Sequence, residues 1–496
     1  MTGVQTCALP ISVFDYAGGN GGDSQCTVVI DIDMQESLGQ TIHVTYGLEV
    51  VSEADYTDIL AVTVNGECST QETTVTLQTL RNGNINFTID NFKLEADGFV
   101  QPIGAIRLEN LIFDEKGKFS YEGVIRIAEG SDPDVSNWGG PELGDVPVIV
   151  DGQLYTIGGE SYLLLNIDID MEESLGQTIN VTFGATPVST TTYTDDLKVT
   201  VNGEAATEHN VTVTVGTLKN GYKNLTLNNF AMNLGGEKTY LGNIALNALA
   251  LDENGKFTYT GNIRIGDGDL PEVENWGGSD LGAIPVDVKG QFYTYDGNDY
   301  LIFSIAIDMQ ESIQQTIDVL YGGTPIRVVN LHDNLKVTIN DQDNHQEADV
   351  AVGILRNGNI NFTLRNFMLQ LEGSQTQSGI GNISVDNLEL ASDGSFTYNG
   401  VVRVGNGDDT TVDSWGGPDL GDIPVVLTGR FSEEAAKAHV LIDIDMMDTL
   451  SQIINVEFGV EFLKTIGDLT RLIEKAKAGE ATVSDINTLL NNILEK

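Results

Sequence analysis

The sequence predicts an all-β chain: tandem eight-stranded antiparallel up-and-down β-barrels, followed by a short two-helix C-terminal module. Three observations predict it. One phrase recurs, as NWGGPELGDVPV from Asn137, NWGGSDLGAIPV from Asn275 and SWGGPDLGDIPV from Ser414, and it places the three tryptophans, Trp138, Trp276 and Trp415, at intervals of 138 and 139 residues. Within each interval, short runs alternate apolar and polar residues with the period of two of half-buried strands. Asn-Gly steps separate several of those runs, which is a strong hairpin signal.

Other landmarks keep the same spacing. Leu80-Arg-Asn-Gly83 recurs as Leu218-Lys-Asn-Gly221 and Leu355-Arg-Asn-Gly358. Each is followed by a segment ending in Asn-Phe, at Phe92, Phe230 and Phe367, and then by Gly-(Lys/Ser)-Phe-(Ser/Thr)-Tyr at Gly117, Gly255 and Gly394. Each unit closes on a version of DMxESLGQTIxVxFG ending at Gly184, Gly322 and Gly459, and the phrase also ends early, at Gly47. A period of this length matches a whole domain rather than a solenoid repeat. The reading is three barrels over residues 48–184, 185–322 and 323–459, joined like beads by short segments such as 185–193. Residues 13–47 are read as the C-terminal remnant of a truncated repeat. Residues 1–12, MTGVQTCALPIS, match nothing in the repeats and resemble translated sequencing-adapter sequence, so they are set aside as non-native, with Cys7.

The second unit shows the strands in order. Leu197–Val201 and Val211–Val215 alternate with period two, and Asn220-Gly221 leads by a type I′ turn into a third strand at Leu225–Leu227. Ile244–Leu251 is the fourth strand, and Asn254-Gly255 turns into the fifth, Phe257–Ile265. Ile284–Tyr295, Tyr300–Met309 and Thr316–Tyr321 complete eight. A closed barrel removes the exposed edges that a flat sheet would leave. In the fifth strand Phe257, Tyr259, Gly261, Ile263 and Ile265 share the inward side, with Arg264 opposite. A central strand glycine implies strong coiling or close approach of another group. Asp168 and Asp170, like Asp443 and Asp445, fall on the outward face.

At these residues the unit resembles the calycin-like β-barrel domain of secreted bacterial proteins. The Asn-Phe segment, the LGxIPV phrase and the closing VxFG carry the resemblance. It implies an eight-stranded barrel, a small ligand held inside as in lipocalins and avidins, and an extracellular or cell-surface location. It supplies no catalytic residues. A signal peptide is absent because, on this reading, the N-terminus is truncated.

Composition narrows the function further. The formal net charge is −48, from 73 acidic and 25 basic residues. That excludes nucleic acid, whose phosphates need clustered Lys and Arg, and disfavours anionic membranes. It favours solubility and leaves Ca²⁺ as the cation to consider. Cys7, Cys26 and Cys68 do not recur between units, so no disulfide framework is repeated. No apolar run is long enough for a transmembrane helix.

Residues 460–496 change character. Phe462, Leu463, Ile466, Leu469, Leu472 and Ile473 follow helical spacing, and Thr482-Val-Ser-Asp485 reads as a capping box for a second helix. The pair looks like a dockerin-type or similar module. Two readings stand: a tag that docks a protein partner, or a helix pair covering the last barrel. A calcium loop here lacks side-chain oxygens, since residues 474–480 offer only their two end glutamates.

Enzyme signals are poor. His43, His209, His332, His345 and His439 occupy no equivalent places in two units, so triad and zinc readings lack support. The Asn-Phe-Thr and Asn-Leu-Thr triplets fit a glycosylation pattern but fall within strands. The tryptophan loop is the leading site candidate, because long connections in compact domains are often functional. Trp138, Trp276 and Trp415 either plug one barrel end or form a platform for sugar stacking helped by Ca²⁺, with Asp267, Asp269 and Glu272 as metal-ligand candidates in the second unit. Tyr121, Tyr259 and Tyr398 would give an interior ligand a polar contact. The expectation is a non-catalytic binding protein for a glycan or a small apolar molecule, with no required cofactor. The alternative is a structural or adhesion spacer of packed barrels.

Overall fold

The computed structural model describes residues 14–17, 25–34 and 40–459 apart from 65–66, 97–98, 172–176, 203, 235–236, 310–314, 340–341, 371–376 and 448–451, together with Lys475 and Thr482. Apart from Lys475 and Thr482, the proposed helical module therefore lies outside the described residues. Three strands at Phe14–Ala17, Gln25–Met34 and Gln40–Tyr46 form a small sheet. Three further antiparallel sheets follow, each curled into a nearly closed barrel.

Barrel 3 shows the plan. Its strands run Arg327–Ile339, Gln342–Ile354, Ile360–Leu369, Ser378–Leu388, Ser395–Val402, Ile423–Ser432, Lys437–Met446 and Gln452–Phe458. Each neighbour in sequence pairs with the next, except the fourth and fifth, and the first strand also pairs with the eighth through Leu335–Phe458. The seam of the barrel thus lies between strands four and five. Barrels 1 and 2 repeat this order. Inward positions of each barrel form one apolar cluster, with Phe362, Leu364 and Val440 fully buried in barrel 3.

What crosses the seam is the chain just after the fifth strand. Asn382 bridges Gly405 in barrel 3, Ala105 bridges Ala128 in barrel 1, and Asn243 and Ile244 pair with Gly266 and Ile265 in barrel 2. The fifth strand of barrel 2 therefore ends at Ile263, short of the expected Ile265, and the chain then changes partners from the sixth strand to the fourth. Glycine makes this closure feasible. Gly104, Gly242 and Gly381 have φ of +133°, +127° and +127°, and a Cβ at each would lie 2.0 Å from the carbonyl oxygen of Ala128, Gly266 or Gly405.

The Asn-Gly hairpins differ from the expected type I′ turns. Gly221 has φ +86° and its N–H donates to Leu218 O at 2.9 Å, whereas Asn220 is not among the residues with positive φ. A single left-handed glycine after a type I turn gives a three-residue loop, with the asparagine side chain accepting from Tyr222 N instead.

The barrels also touch. Leu355, at the turn between strands two and three of barrel 3, packs with Ile302 and Leu320 on the outer face of barrel 2. The linkers are short, as expected, but the units are docked rather than strung as separate beads.

Candidate ligand site

Barrel 3 holds a partly open cavity of about 170 Å³. It lies at the end of the barrel where Met446 and Ile454 meet Leu369 and Ser378, and Gly416 and Leu420 of the tryptophan loop border it. Its lining is almost wholly aliphatic and aromatic. The repeat explains why space opens here. Counting from the paired Phe367–Gly381, Phe230–Gly242 and Phe92–Gly104, Gly379 stands where barrels 2 and 1 have Tyr240 and Pro102. Val402 and Val404 stand where barrel 1 has Ile125 and Ile127 and barrel 2 has Ile263 and Ile265. Gly379, Val402 and Val404 all line the cavity. Each substitution removes carbon from the same end of the barrel.

The tryptophan loop is stitched along the seam. Gly416 and Gly417, the pair after Trp415, donate their N–H groups to Gly379 O and Ile380 O at 2.9 and 2.8 Å. Gly277 and Gly278 do the same to Tyr240 O and Leu241 O in barrel 2, and Gly139 donates to Pro102 O in barrel 1. A Cβ on Gly417 would sit 2.3 Å from Ile380 O and 2.4 Å from Val404 Cγ1. The loop is also tied to the Asn-Phe segment. Asn91, Asn229 and Asn366 adopt φ of 56°, 53° and 51°. Their Oδ1 atoms accept from the backbone N–H of Asp132, Asp269 and Asp408 at 2.9, 2.9 and 2.6 Å. Asparagine tolerates this left-handed conformation while its side chain bonds to a backbone group.

The three tryptophan rings lie over this loop. Trp138 is 7% exposed, while Trp276 and Trp415 are half-buried. Their six-membered rings cover Gly130, Gly268 and Gly407, where a Cβ would come within 2.5, 2.2 and 2.3 Å of ring carbons. None belongs to an interior cluster. Trp276 meets Tyr240 edge to face at 5.9 Å, whereas Trp415 has Gly379 at that position.

The tyrosines have a local role. Tyr121, Tyr259 and Tyr398 pack against their interior clusters, and their hydroxyls donate to Val124 O, Asn262 O and Val401 O at 3.1, 2.8 and 2.7 Å. Each ring folds over the strand glycine two residues on, Gly123, Gly261 or Gly400. The glycine answers to close approach of the tyrosine. Burial pushes the Tyr259 hydroxyl up to about 12, helped by the Asp168 and Asp151 carboxylates of barrel 1. Burial also raises Tyr398.

Asp267, Asp269 and Glu272 are exposed. Asp269 accepts from Asn229 Nδ2 at 2.6 Å. Among the described residues no group of three or more Asp, Glu, His or Cys converges as a metal site. In barrel 3 the Thr411 hydroxyl, with its backbone N–H, holds the Asp409 carboxyl below its usual range, a turn-closing arrangement.

The Leu-(Arg/Lys)-Asn-Gly turn, a repeated hairpin landmark in the sequence, also docks barrels 2 and 3 onto the barrel before. Arg356 bonds Asp195 at 2.7 Å and lies 4.9 Å over the Tyr300 ring, while Leu355 fills the apolar cluster beneath. Lys219 repeats this at the first junction, 3.7 Å from Asp58 and 4.6 Å over Tyr162. Arg403 adds a contact to Asp318 at 2.7 Å, and burial raises the Asp318 carboxyl despite that arginine. A leucine retained at a turn in all three units was the available signal.

The fold and these sites define a tandem β-barrel protein whose third barrel holds a partly open apolar space. The Calycin-like beta-barrel domain family matches residues 53–186, 190–324 and 332–460, and the chain belongs to that family. The matches end at residue 460, so they give the dockerin-like reading no support. Among solved structures, a "putative outer membrane protein" from Bacteroides fragilis NCTC 9343 is similar at 15% identity, covering 54% of this chain and 95% of that chain with a TM-score of 0.20. No curated protein matches the sequence. Among the described residues no helix is long and apolar enough to cross a membrane.

Proposed function

We propose that the chain is a non-catalytic binding protein whose third barrel takes a small apolar molecule. The cavity of about 170 Å³ carries this reading. An engineered apolar cavity of roughly 150 Å³ in another protein stays dry and binds benzene, so the ligand, or the part of it held inside, is about that size. The reading favours an apolar ligand over a glycan, because the tryptophan rings are engaged with their own loop. The setting is extracellular or cell-surface, as the family resemblance to secreted bacterial barrels implies. Titrating the full chain with toluene in a calorimeter tests the proposal. Saturable binding to one high-affinity site is expected, and heats no different from dilution would overturn it.

The junctions favour a second role alongside the first, that of a stiff spacer. Barrel 2 offers Tyr293, Tyr300, Ile302 and Leu320 to the barrel that follows. Barrel 3 carries Ser432, Lys437, His439 and Glu457 at those places, with His439 Nε2 bonded to Glu457 Oε1 at 3.1 Å. Leu355→Asp places a charge in the buried contact between barrels 2 and 3. Small-angle scattering should then show a larger radius of gyration with unfolding of barrel 3 otherwise unchanged. An unaltered radius would remove the spacer role.

A further inference from the structure

The cavity of barrel 3 has a polar group at its rim that the apolar-ligand reading leaves unused. Gln452 opens the eighth strand and pairs with Met446. Ile454, Val456 and Phe458 belong to the interior cluster, so Gln452, two residues before Ile454, faces the same way. Met446 and Ile454 both line the cavity. Gln452 is not itself a lining residue; it is the next inward position beyond Ile454 and lies beside Met446, at the cavity's end of the barrel. Its Oε1 is buried and, among the described residues, without a hydrogen-bond partner.

The arrangement recurs. Gln315 opens the eighth strand of barrel 2, pairs with Met309, and also holds a buried Oε1 with no partner among the described residues. Gln177 occupies the same place in the sequence of barrel 1. Leaving a buried amide oxygen unsatisfied costs about 1–3 kcal/mol. An aliphatic residue at this inward position would avoid that cost. The glutamine register is thus shared by the eighth strands, and it is in barrel 3 that an apolar cavity adjoins it.

We propose that Gln452 is the polar anchor of the barrel 3 site, and that the ligand is a neutral molecule with an apolar body and one hydrogen-bond donor, an alcohol of about the size of benzyl alcohol. The apolar body fills the space left by Val402, Val404 and Gly379. The hydroxyl reaches Gln452 Oε1 by a turn of the side-chain amide, and Ser378, which also lines the cavity, stands at the same end. A charged group is excluded, since burying it unpaired among these side chains costs far more than one hydrogen bond returns. This inference rests on the apolar-ligand reading of barrel 3.

The test uses the full chain, toluene and benzyl alcohol, and the Gln452→Met variant, which keeps the length of the side chain and removes the acceptor. Binding to barrel 3 is the part lost in a Val402→Ile, Val404→Ile chain. Gln452→Met should weaken benzyl alcohol about fivefold, the worth of one net hydrogen bond, and leave toluene unchanged. If both probes bind and the substitution shifts them equally, or not at all, the anchor is overturned and the apolar-ligand reading stands. If neither probe binds the unaltered chain, both fall together. Gln452→Leu is read in the same way should the methionine variant fail to fold.

Discussion

Replacing Val402 and Val404 together by isoleucine is expected to weaken apolar-ligand binding by more than tenfold while making barrel 3 more stable. Both valines line the cavity, and barrels 1 and 2 carry isoleucine at both positions. The same backbone thus accepts the larger side chains. Each added methylene enters empty space and contributes about 0.8 kcal/mol of burial. Overpacking, which costs about 1–3 kcal/mol in a filled core, does not apply where the space exists. Loss of binding at raised stability separates a blocked site from a damaged fold. Calorimetry with toluene and denaturant unfolding together check it. Undiminished binding would place the ligand elsewhere. The reverse change, Ile263→Val with Ile265→Val in barrel 2, should cost about 0.5–1.5 kcal/mol per site.

Gly381→Val is expected to destabilise barrel 3 by about 3 kcal/mol or more and to abolish ligand binding. The residue has φ +127°, and its Cβ would lie 2.0 Å from Gly405 O. Backbone strain of about 1–3 kcal/mol is then joined by loss of the seam contacts. Gly358 is the control. It has φ +86° with nothing within 4 Å of a Cβ, so Gly358→Ala carries only the left-handed penalty of about 1–2 kcal/mol. Hydrogen exchange adds a local reading. The amides of Gly416 and Gly417, which donate across the seam, should lose protection in Gly381→Val and keep it in Gly358→Ala. Equal costs at the two glycines would show that the seam does not depend on close approach.

Much of the fold was legible from the chain alone. Strand number, antiparallel order and the inward face of the fifth strand follow from period-two alternation and glycine-centred turns, which act between near neighbours. Turn type was not legible, because Asn-Gly serves both a two-residue I′ loop and the three-residue loop found at Gly221, and the flanking geometry selects between them. The tryptophan phrase was recognised as special, but its partner was out of reach. Gly416 bonds to Gly379 and Asp408 to Asn366, and no local pattern reports contacts from the chain after strand five back to strands four and three. The tyrosines looked available to a ligand because alternation gives the side they face and says nothing of where a hydroxyl proton goes.

The sequence by itself determined that three barrels of one kind follow one another, because repetition and alternation are properties of the chain read in order. Only the tertiary structure decided that barrel 3 is hollow at one end, that the tryptophan loop seals a seam, and that Leu355 and Arg356 lock neighbouring barrels. A cavity is a difference between the volume a backbone encloses and the volume its side chains fill. A docking contact such as Arg356 to Asp195 joins residues 161 positions apart. Both depend on how distant segments meet in space; the leucine kept at the turn marks a docking position without naming its partner.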